Sequence, residues 1–168
     1  LKNKTDYIGL AQTGTGKTAA YGLPILNSID TNSAVVQALI LSPTRELVQQ
    51  IKKQLFKFTK FNEEKIFVEA VYGGEKIDKQ MQRLQRPTHI IVATPGRLID
   101  LIEKGNVNLR SIKTVVLDEA DEMLSMGFKK ELDAILNYTS GSRNTWLFSA
   151  TMPEEILRII SKYMEPSA

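Results

Sequence analysis

Cysteine is absent from this sequence of 168 residues, which has only one histidine and one tryptophan. Without cysteine the chain cannot form disulfides, carry a catalytic thiol or ligate a metal through thiolates. No apolar run approaches the ~20 residues that a membrane-spanning helix needs. The opening residues, LKNK, lead straight into an apolar segment, so no secretory signal is visible. We therefore expect a cytoplasmic protein that does not engage a membrane.

The remaining composition is that of a soluble globular domain, with 42% hydrophobic and 24% charged residues. A chain of this length is enough for one domain with a sizeable core. The net charge of +3 is compatible with a polyanionic partner but is weak support for one. A loose run of lysines fits either such a partner or a solvated helix face: Lys52, Lys53, Lys57, Lys60 and Lys65. We interpret the single histidine, His89, as structural.

Apolar strand patterns alternate with helical patterns along the whole chain. Strands are predicted at residues 5–10, 35–41, 65–72, 88–93, 113–117 and 145–148. Helices are predicted at residues 18–29, 44–58, 75–84, 97–104, 120–124, 128–138 and 153–163. Because several strands are continuous β-branched runs, such as IIV at 90–92, they should be buried on both faces. This alternation predicts a three-layer α/β fold with a mainly parallel central sheet.

A cluster of polar or glycine residues follows each predicted strand. In open parallel sheets, ligands bind at the carboxyl ends of the strands. The clusters begin at Ala11, Pro43, Gly73, Thr94, Asp118 and Ser149. The sequence therefore predicts that all six lie on one rim of the sheet.

The first cluster, AQTGTGKT at residues 11–18, lies at a strand-to-helix turn and has the pattern of a phosphate-binding loop. A helix N-terminus offers unpaired N–H groups and partial positive charge, and glycines let the backbone approach an anion. Ala11 replaces the usual first glycine, and a Gly/Thr-rich turn before an amphipathic helix is the alternative. The residues expected to bind phosphates are Gln12, Thr13, Gly14, Thr15, Gly16, Lys17 and Thr18.

The fifth strand ends in two carboxylates, Asp118 and Glu119. A nucleotide-bound Mg²⁺ prefers oxygen ligands, so Asp118 and the Thr18 hydroxyl are candidate metal ligands. Glu119 would then orient and deprotonate an attacking water. The alternative is that Asp118 and Asp121 open the next helix, where acidic side chains are common.

The string Asp118-Glu119-Ala120-Asp121 and the order of the other motifs resemble the DEAD-box ATP-dependent RNA helicases. Residues 11–18 resemble motif I of that family, 43–47 motif Ia, 94–97 motif Ib and 149–151 motif III, and the paired glycines 73–74 also match. The resemblance covers nearly the whole chain and implies a RecA-like P-loop NTPase domain, with the sixth strand between the two nucleotide-binding strands.

The resemblance also implies roles for individual residues. ATP and Mg²⁺ are the implied cofactors, with Lys17 on the β- and γ-phosphates, Thr18 and Asp118 at Mg²⁺, and Glu119 as the base. Asp121 would hydrogen-bond the Ser149 and Thr151 hydroxyls and so couple the ATP state to RNA. A helix cap before Pro153 is the alternative for these two hydroxyls.

RNA is the implied partner, bound through its backbone without sequence preference. Exposed amides, hydroxyls and a few cations suit that task. The residues expected to bind RNA are Thr44, Arg45, Gly73, Gly74, Thr94, Gly96 and Arg97. Thr94 can also cap the helix of Arg97. The alternatives are turn glycines, surface arginines and pairing of Arg45 with an internal acid.

The domain interpretation assigns residues 1–163 to an N-terminal RecA-like helicase domain with a truncated adenine-reading Q motif. Residues 164–168 would begin a linker to a second RecA-like domain of the same parent protein, which is absent from this sequence. We expect a monomeric fragment that binds nucleotide weakly and hydrolyses it negligibly alone. Two other functions remain open at this point: an ATP-gated RNA clamp with little hydrolysis, and a DNA-directed translocase.

Overall fold

The structure, a computed structural model, describes residues 5–12, 16–139, 141 and 143–165. Its six strands are β1 (Tyr7–Leu10), β2 (Ala38–Leu41), β3 (Val68–Val71), β4 (Ile90–Ala93), β5 (Thr114–Leu117) and β6 (Asn144–Ser149). Its seven helices are α1 (Lys17–Ser28), α2 (Arg45–Thr59), α3 (Ile77–Leu84), α4 (Pro95–Glu103), α5 (Ala120–Ser125), α6 (Lys129–Tyr138) and α7 (Glu154–Tyr163). Each predicted strand and helix is present, so the alternation read from the sequence is confirmed.

The strands form one sheet in the order β1-β6-β5-β2-β4-β3, and every pair of neighbours is parallel. The sixth strand lies between β1 and β5, as the family resemblance implied. Because all strands point the same way, their carboxyl ends meet at one rim, and the six polar clusters follow those ends.

Two hydrophobic cores cover the two faces of the sheet, which gives three layers. Side chains alternate across a strand, so Leu39 and Leu41 of β2 enter one core while Ala38 and Ile40 enter the other. Helices α1 and α2 cover the second face, and α4 to α7 cover the first. The central strands β2, β4 and β5 are wholly buried, which explains their continuous apolar runs.

Several elements are shorter or begin elsewhere than predicted, for local reasons. Strand β3 begins at Val68 rather than at residue 65, and the preceding Phe67 N–H donates to His89 Nδ1 at 3.0 Å. His89 is buried and stacked on the Phe67 ring, so the structural role expected for it fits. Helix α4 begins at Pro95, because proline has a helical φ and needs no N–H partner at a first position.

The end of the chain packs on the domain as far as residue 165. Met164 is buried in the first core, and the Glu165 N–H donates to Asp6 Oδ2 at 2.6 Å. Residues 166–168 of the expected linker lie outside the described residues. Among the helices that the structure describes, none is long and apolar enough to cross a bilayer.

Candidate functional site

The described end of the predicted phosphate-binding loop has the geometry that a strand-to-helix turn needs. Gly16 is the N-cap of α1 with φ 73°, in the left-handed region that favours glycine. A Cβ at Gly16 would meet nothing within 4 Å, so backbone conformation rather than space requires the glycine. Thr13, Gly14 and Thr15 lie outside the described residues. Gln12 is exposed just after β1, which ends at Leu10.

Lys17 and Asp118, 101 positions apart in the sequence, meet at the rim. Lys17 Nζ lies 2.7 Å from Asp118 Oδ1, and both side chains are almost fully buried. Lys17 opens α1 after strand β1, whereas Asp118 directly follows strand β5. A buried ion pair with a short contact fixes these two groups as one unit.

Tyr21, which the motifs did not reveal, also belongs to this unit. It lies one helical turn after Lys17, is fully buried, and donates its hydroxyl to Asp118 Oδ2 at 2.9 Å. Burial raises the pKa of Asp118, while the contacts with Lys17 and Tyr21 oppose that rise. Burial and the neighbouring Asp118 together raise the pKa of Tyr21 well above its ordinary value.

A cavity of about 210 Å³ opens above the ion pair. Gly16, Lys17 and Thr18 form one wall of it, and Asp118 and Glu119 form another. Helix α2 closes the cavity with Leu47, Gln50, Ile51 and Gln54. Five of the residues predicted for phosphates, metal and water activation therefore line a single cavity: Gly16, Lys17, Thr18, Asp118 and Glu119.

Glu119 is held in an uncommon backbone conformation at this cavity. With φ 53° and ψ 51° it is the only non-glycine residue of positive φ in the described part of the chain. Such a conformation costs about 1–2 kcal/mol for a residue with a Cβ. It makes Glu119, rather than Asp118, the N-cap of α5, and Asp121 lies in the first turn. The alternative that Asp118 caps this helix is therefore wrong.

The donor set suits Mg²⁺ only when phosphate oxygens complete it. Among the described residues no group of three or more His, Asp or Glu side chains could hold a metal by itself. Mg²⁺ in nucleotide sites takes one or two protein oxygens and fills its octahedron with phosphates and water. Asp118 and the Thr18 hydroxyl, on walls of the same cavity, match that requirement.

Asp121 connects α5 to the segment that follows β6. Asp121 Oδ2 accepts hydrogen bonds from the Thr151 hydroxyl at 2.8 Å and from the Thr151 N–H at 3.1 Å. Burial opposes ionisation of Asp121, but hydrogen bonds from Thr151 and Ser149 outweigh it and lower its pKa. The Ser149 hydroxyl also donates to the Thr151 carbonyl at 2.6 Å. Ser149 O in turn accepts from the Ala11 N–H at 3.1 Å, which ties this network to the phosphate-binding loop.

The residues predicted to bind RNA converge on the other half of the rim. Exposed Arg45 lies 4.8 Å over the Tyr72 ring, and its Nη1 atom is 3.5 Å from where a Gly74 Cβ would stand. Arg97 Nη1 donates to the Glu75 carbonyl at 2.7 Å, so α4 holds the loop after β3. Arg45 has no ion-pair partner among the described residues, so the predicted alternative of an internal acid finds no support.

Two threonines stand at helix starts on this half of the rim. The Thr44 hydroxyl accepts from the Leu47 N–H at 3.3 Å and caps α2. Thr94 is the N-cap of α4 but makes no side-chain cap hydrogen bond, so that part of the prediction is wrong. Instead its N–H donates to the Val71 carbonyl at 3.0 Å and continues the sheet ladder. A Cβ added to Gly96, in the first turn of α4, would stand 3.8 Å from the Phe128 ring.

The loop that carries Gly73 and Gly74 depends on a glutamine that no motif indicated. Gln80 is completely buried; its side chain accepts from the Tyr72 N–H and donates to the Tyr72 carbonyl and to Glu75. Gly73 is exposed, and Gly74, also exposed, has φ 90°. A buried Gln within an amphipathic helix gives no periodic signal, which is why sequence reasoning missed it.

The rim thus divides into two halves along the strand order. The candidate nucleotide residues follow β1 and β5, and the Asp121 partners follow β6 between them. The candidate RNA residues follow β2, β4 and β3, which form the other side of the sheet. Strand β2 pairs directly with β5, so the two halves share a rigid boundary.

Comparison with known proteins gives one family. The family model for the DEAD/DEAH box helicase matches residues 1–159. The DEAD-box ATP-dependent RNA helicase CshA of Geobacillus kaustophilus is 49% identical over 164 residues, covering 98% of this chain and 34% of the relative. CshA of Streptococcus pneumoniae is 51% identical over 160 residues, covering 95% of this chain and 30% of the relative. The chain therefore spans about a third of the length of the curated relatives it matches.

Solved structures agree with this grouping. A DEAD box protein from Methanococcus jannaschii superposes with a TM-score of 0.90 at 40% identity, covering 96% of this chain and 44% of that one. A hypothetical ATP-dependent RNA helicase from Sulfolobus tokodaii superposes with a TM-score of 0.87 at 39% identity, covering 97% of this chain and 46% of that one. These neighbours confirm that the parallel sheet is a RecA-like domain. The chain belongs to the DEAD/DEAH box helicase family.

Proposed function

We propose that this chain is the N-terminal ATP- and RNA-binding domain of an ATP-dependent RNA helicase. Joined to a second RecA-like domain in a longer cytoplasmic protein, it would hydrolyse ATP and remodel or locally unwind RNA. The observation that carries the proposal is the 2.7 Å contact between Lys17 and Asp118 at a cavity that Glu119 also lines. The names of the related helicases support the choice of ATP and RNA.

The chemistry proposed for the cavity assigns each side chain a separate task. The Lys17 side chain would move from Asp118 to the β- and γ-phosphates of ATP. Its ammonium group would neutralise part of their negative charge. Asp118 and Thr18 would then hold Mg²⁺, which supplies electrostatic stabilisation of the triphosphate. Glu119 would orient the attacking water and take its proton. The strained conformation of Glu119 supports this, since strain is retained where function requires a fixed direction.

The RNA assignment draws on the kinds of groups at the second half of the rim. The candidate residues there are two arginines, three glycines and two threonines, which recognise phosphate and sugar rather than base edges. Arg45, beside Gly74, and Arg97, bound to the Glu75 carbonyl, would present their remaining donors to a single strand. The Asp121–Thr151 bonds, which lie in the nucleotide half of the rim, would couple the ATP state to RNA binding.

The test compares ATP hydrolysis by the 168-residue chain with hydrolysis by its full-length parent, with and without RNA. The isolated chain should turn over ATP negligibly because a second domain would supply further positive charge, and arginine fingers are worth about 10³–10⁵ in rate. The full-length protein should be stimulated by RNA. Strong RNA-stimulated turnover by the isolated chain would contradict the proposed division of labour.

The Glu119→Gln variant distinguishes the proposed ATP-hydrolysing helicase from an ATP-gated RNA clamp that hydrolyses little ATP. In the full-length protein it should abolish turnover and keep ATP-dependent RNA binding, since the amide retains the shape but not the basicity. Unchanged turnover would refute Glu119 as the base. Equal stimulation by DNA and RNA would instead favour a DNA-directed translocase, because recognition of the 2′-OH distinguishes the two.

A further inference from the structure

A second cleft, of about 480 Å³, lies between α2 and the edge strand β3. Its walls include Gln49, Lys52, Lys53 and Phe56 of α2, Tyr72 after β3, and Arg83 of α3. None of them lines the nucleotide cavity. The cleft is therefore a separate feature on the outer side of the sheet.

The cleft is continuous with the candidate RNA half of the rim. Tyr72 lines the cleft and also lies under the Arg45 guanidinium, 4.8 Å from it. The Tyr72 hydroxyl accepts from Gln49 Nε2 at 3.2 Å, which fixes the ring between rim and cleft. A strand bound at Arg45 and Gly74 could pass directly into the cleft with its next nucleotide.

The charge of the cleft suits a phosphate. Lys52 and Arg83 contact Glu69 only at 3.9 and 3.4 Å, which is longer than a charged hydrogen bond. Arg83 is held more tightly by Glu75, at 2.8 and 2.9 Å. Lys53 is exposed and has no ion-pair partner among the described residues. The cations thus exceed the carboxylates beside them, and Lys53 keeps its donors.

The aromatic side chains of the cleft suit a base. Phe56 is 66% exposed although it is large and apolar, and Tyr72 is half-buried across the cleft. Aromatic rings combined with cations in one groove are the arrangement that binds unpaired nucleotides without sequence preference. Addition of a peptide strand to β3 fits less well. Gln80 already bonds the Tyr72 N–H and carbonyl, and Arg83 Nη2 lies 3.5 Å from the Ala70 carbonyl.

We propose that the α2–β3 cleft binds one flanking nucleotide of single-stranded RNA, its base against Phe56 and Tyr72 and its phosphate at Lys52 and Lys53. The proposal rests on the RNA function proposed above and extends its binding site beyond the rim. The cleft would lengthen the footprint of the domain on RNA and raise its affinity without reading sequence.

The experiment measures RNA affinity of the full-length protein with a non-hydrolysable ATP analogue, for single strands of about six and about twelve nucleotides. Phe56→Ala should weaken binding of the longer strand by about fivefold or more, the usual loss of one stacked base, and leave the shorter strand unaffected. Lys53→Ala should lower the slope of affinity against salt by about 0.7 for the longer strand. Both positions are exposed, so both variants should fold.

Phe61→Ala and Lys57→Ala are the matched controls, because both residues are exposed and lie outside the cleft. They should leave both affinities unchanged. An abasic site at the flanking nucleotide should reproduce the Phe56→Ala loss in the wild type and add nothing to it in the variant. If the cleft variants act no differently from the controls, or weaken the short strand equally, the cleft proposal is overturned while the rim site stands. Absence of RNA binding by the wild type would overturn both.

Discussion

At the scale of single residues, the site depends on contacts and backbone angles that fix the orientation of its carboxylate side chains. Asp118 receives Lys17 on one oxygen and Tyr21 on the other, so its carboxylate plane is determined from two sides. Glu119, the next residue, reaches the same cavity through a left-handed backbone conformation. In a continued strand these two adjacent side chains would point to opposite faces of the sheet, whereas the turn at Glu119 lets both line the cavity.

Tyr21→Phe should shift the pH dependence of ATP hydrolysis by the full-length protein. The Tyr21 hydrogen bond holds the pKa of Asp118 down against burial, so its loss raises that pKa further. The acidic limb of the activity profile should therefore move to higher pH, and unfolding should become easier by about 1 kcal/mol. Tyr163→Phe removes a comparable hydrogen bond, to Asp133, away from the cavity and serves as the control. Identical profiles for the two variants would contradict the role given to Tyr21.

The conformation of Glu119 predicts an inverted order of stability for two substitutions. In a helix, alanine is more stable than glycine by about 1 kcal/mol, but at positive φ the Cβ is unfavourable by about that amount or more. Glu119→Gly should therefore be more stable to urea than Glu119→Ala by about 1 kcal/mol. At Arg158, exposed in the middle of α7, the same pair should show the opposite order. If the alanine variant is more stable than the glycine variant at both positions, the backbone of Glu119 is not strained.

At the scale of elements, the motif residues could be predicted from short stretches of sequence. Glycine, proline and charged residues in such a stretch indicate a turn or an anion-binding site. These residues lie at the ends of strands or the starts of helices: Lys17, Thr44, Asp118 and Asp121. Tyr21 and Gln80 could not be predicted, because a tyrosine on a buried helix face and a buried glutamine acquire their partners only in three dimensions. The start of β3 was missed because a histidine side chain replaces a ladder hydrogen bond.

The loop between β3 and α3 predicts a pH-dependent contribution to stability. Arg83 forms a two-pronged contact with Glu75, and the hydrogen bond to Arg83 lowers the pKa of Glu75 to about 2. A depressed carboxyl pKa stabilises the fold above the unfolded value of 4.5, and this stabilisation is lost as the pH falls from 4.5 towards 2. Since both side chains are partly exposed, Glu75→Gln should cost about 1–2 kcal/mol at pH 7.

Urea unfolding of wild type and Glu75→Gln between pH 2 and 7 tests this, with Glu103→Gln at an exposed position as the control. The difference between wild type and Glu75→Gln should shrink as the pH falls below about 4.5. A difference that stays constant over the whole range would show that the ion pair does not stabilise the loop.

At the scale of the whole molecule, the parallel sheet explains why motifs distant in the sequence lie at one rim. The order β1-β6-β5-β2-β4-β3 gathers the candidate nucleotide residues on one side of the rim and the candidate RNA residues on the other. The strand between β1 and β5 carries Ser149, and Thr151 just beyond it bonds Asp121, so α5 is hydrogen-bonded to the segment that follows β6. Strand alternation in the sequence was sufficient to predict the layers, and the family resemblance supplied the place of the sixth strand.

The most direct test of the central claim is the gain in ATP affinity that Mg²⁺ produces, measured by calorimetry on full-length wild type and Asp118→Asn. If Lys17, Thr18 and the acidic pair form one magnesium–triphosphate site, Mg²⁺ should tighten ATP binding to the wild type by about tenfold or more, or 1.4 kcal/mol. Asp118→Asn should remain folded and lose that gain. An equal gain from Mg²⁺ in both proteins would contradict the account.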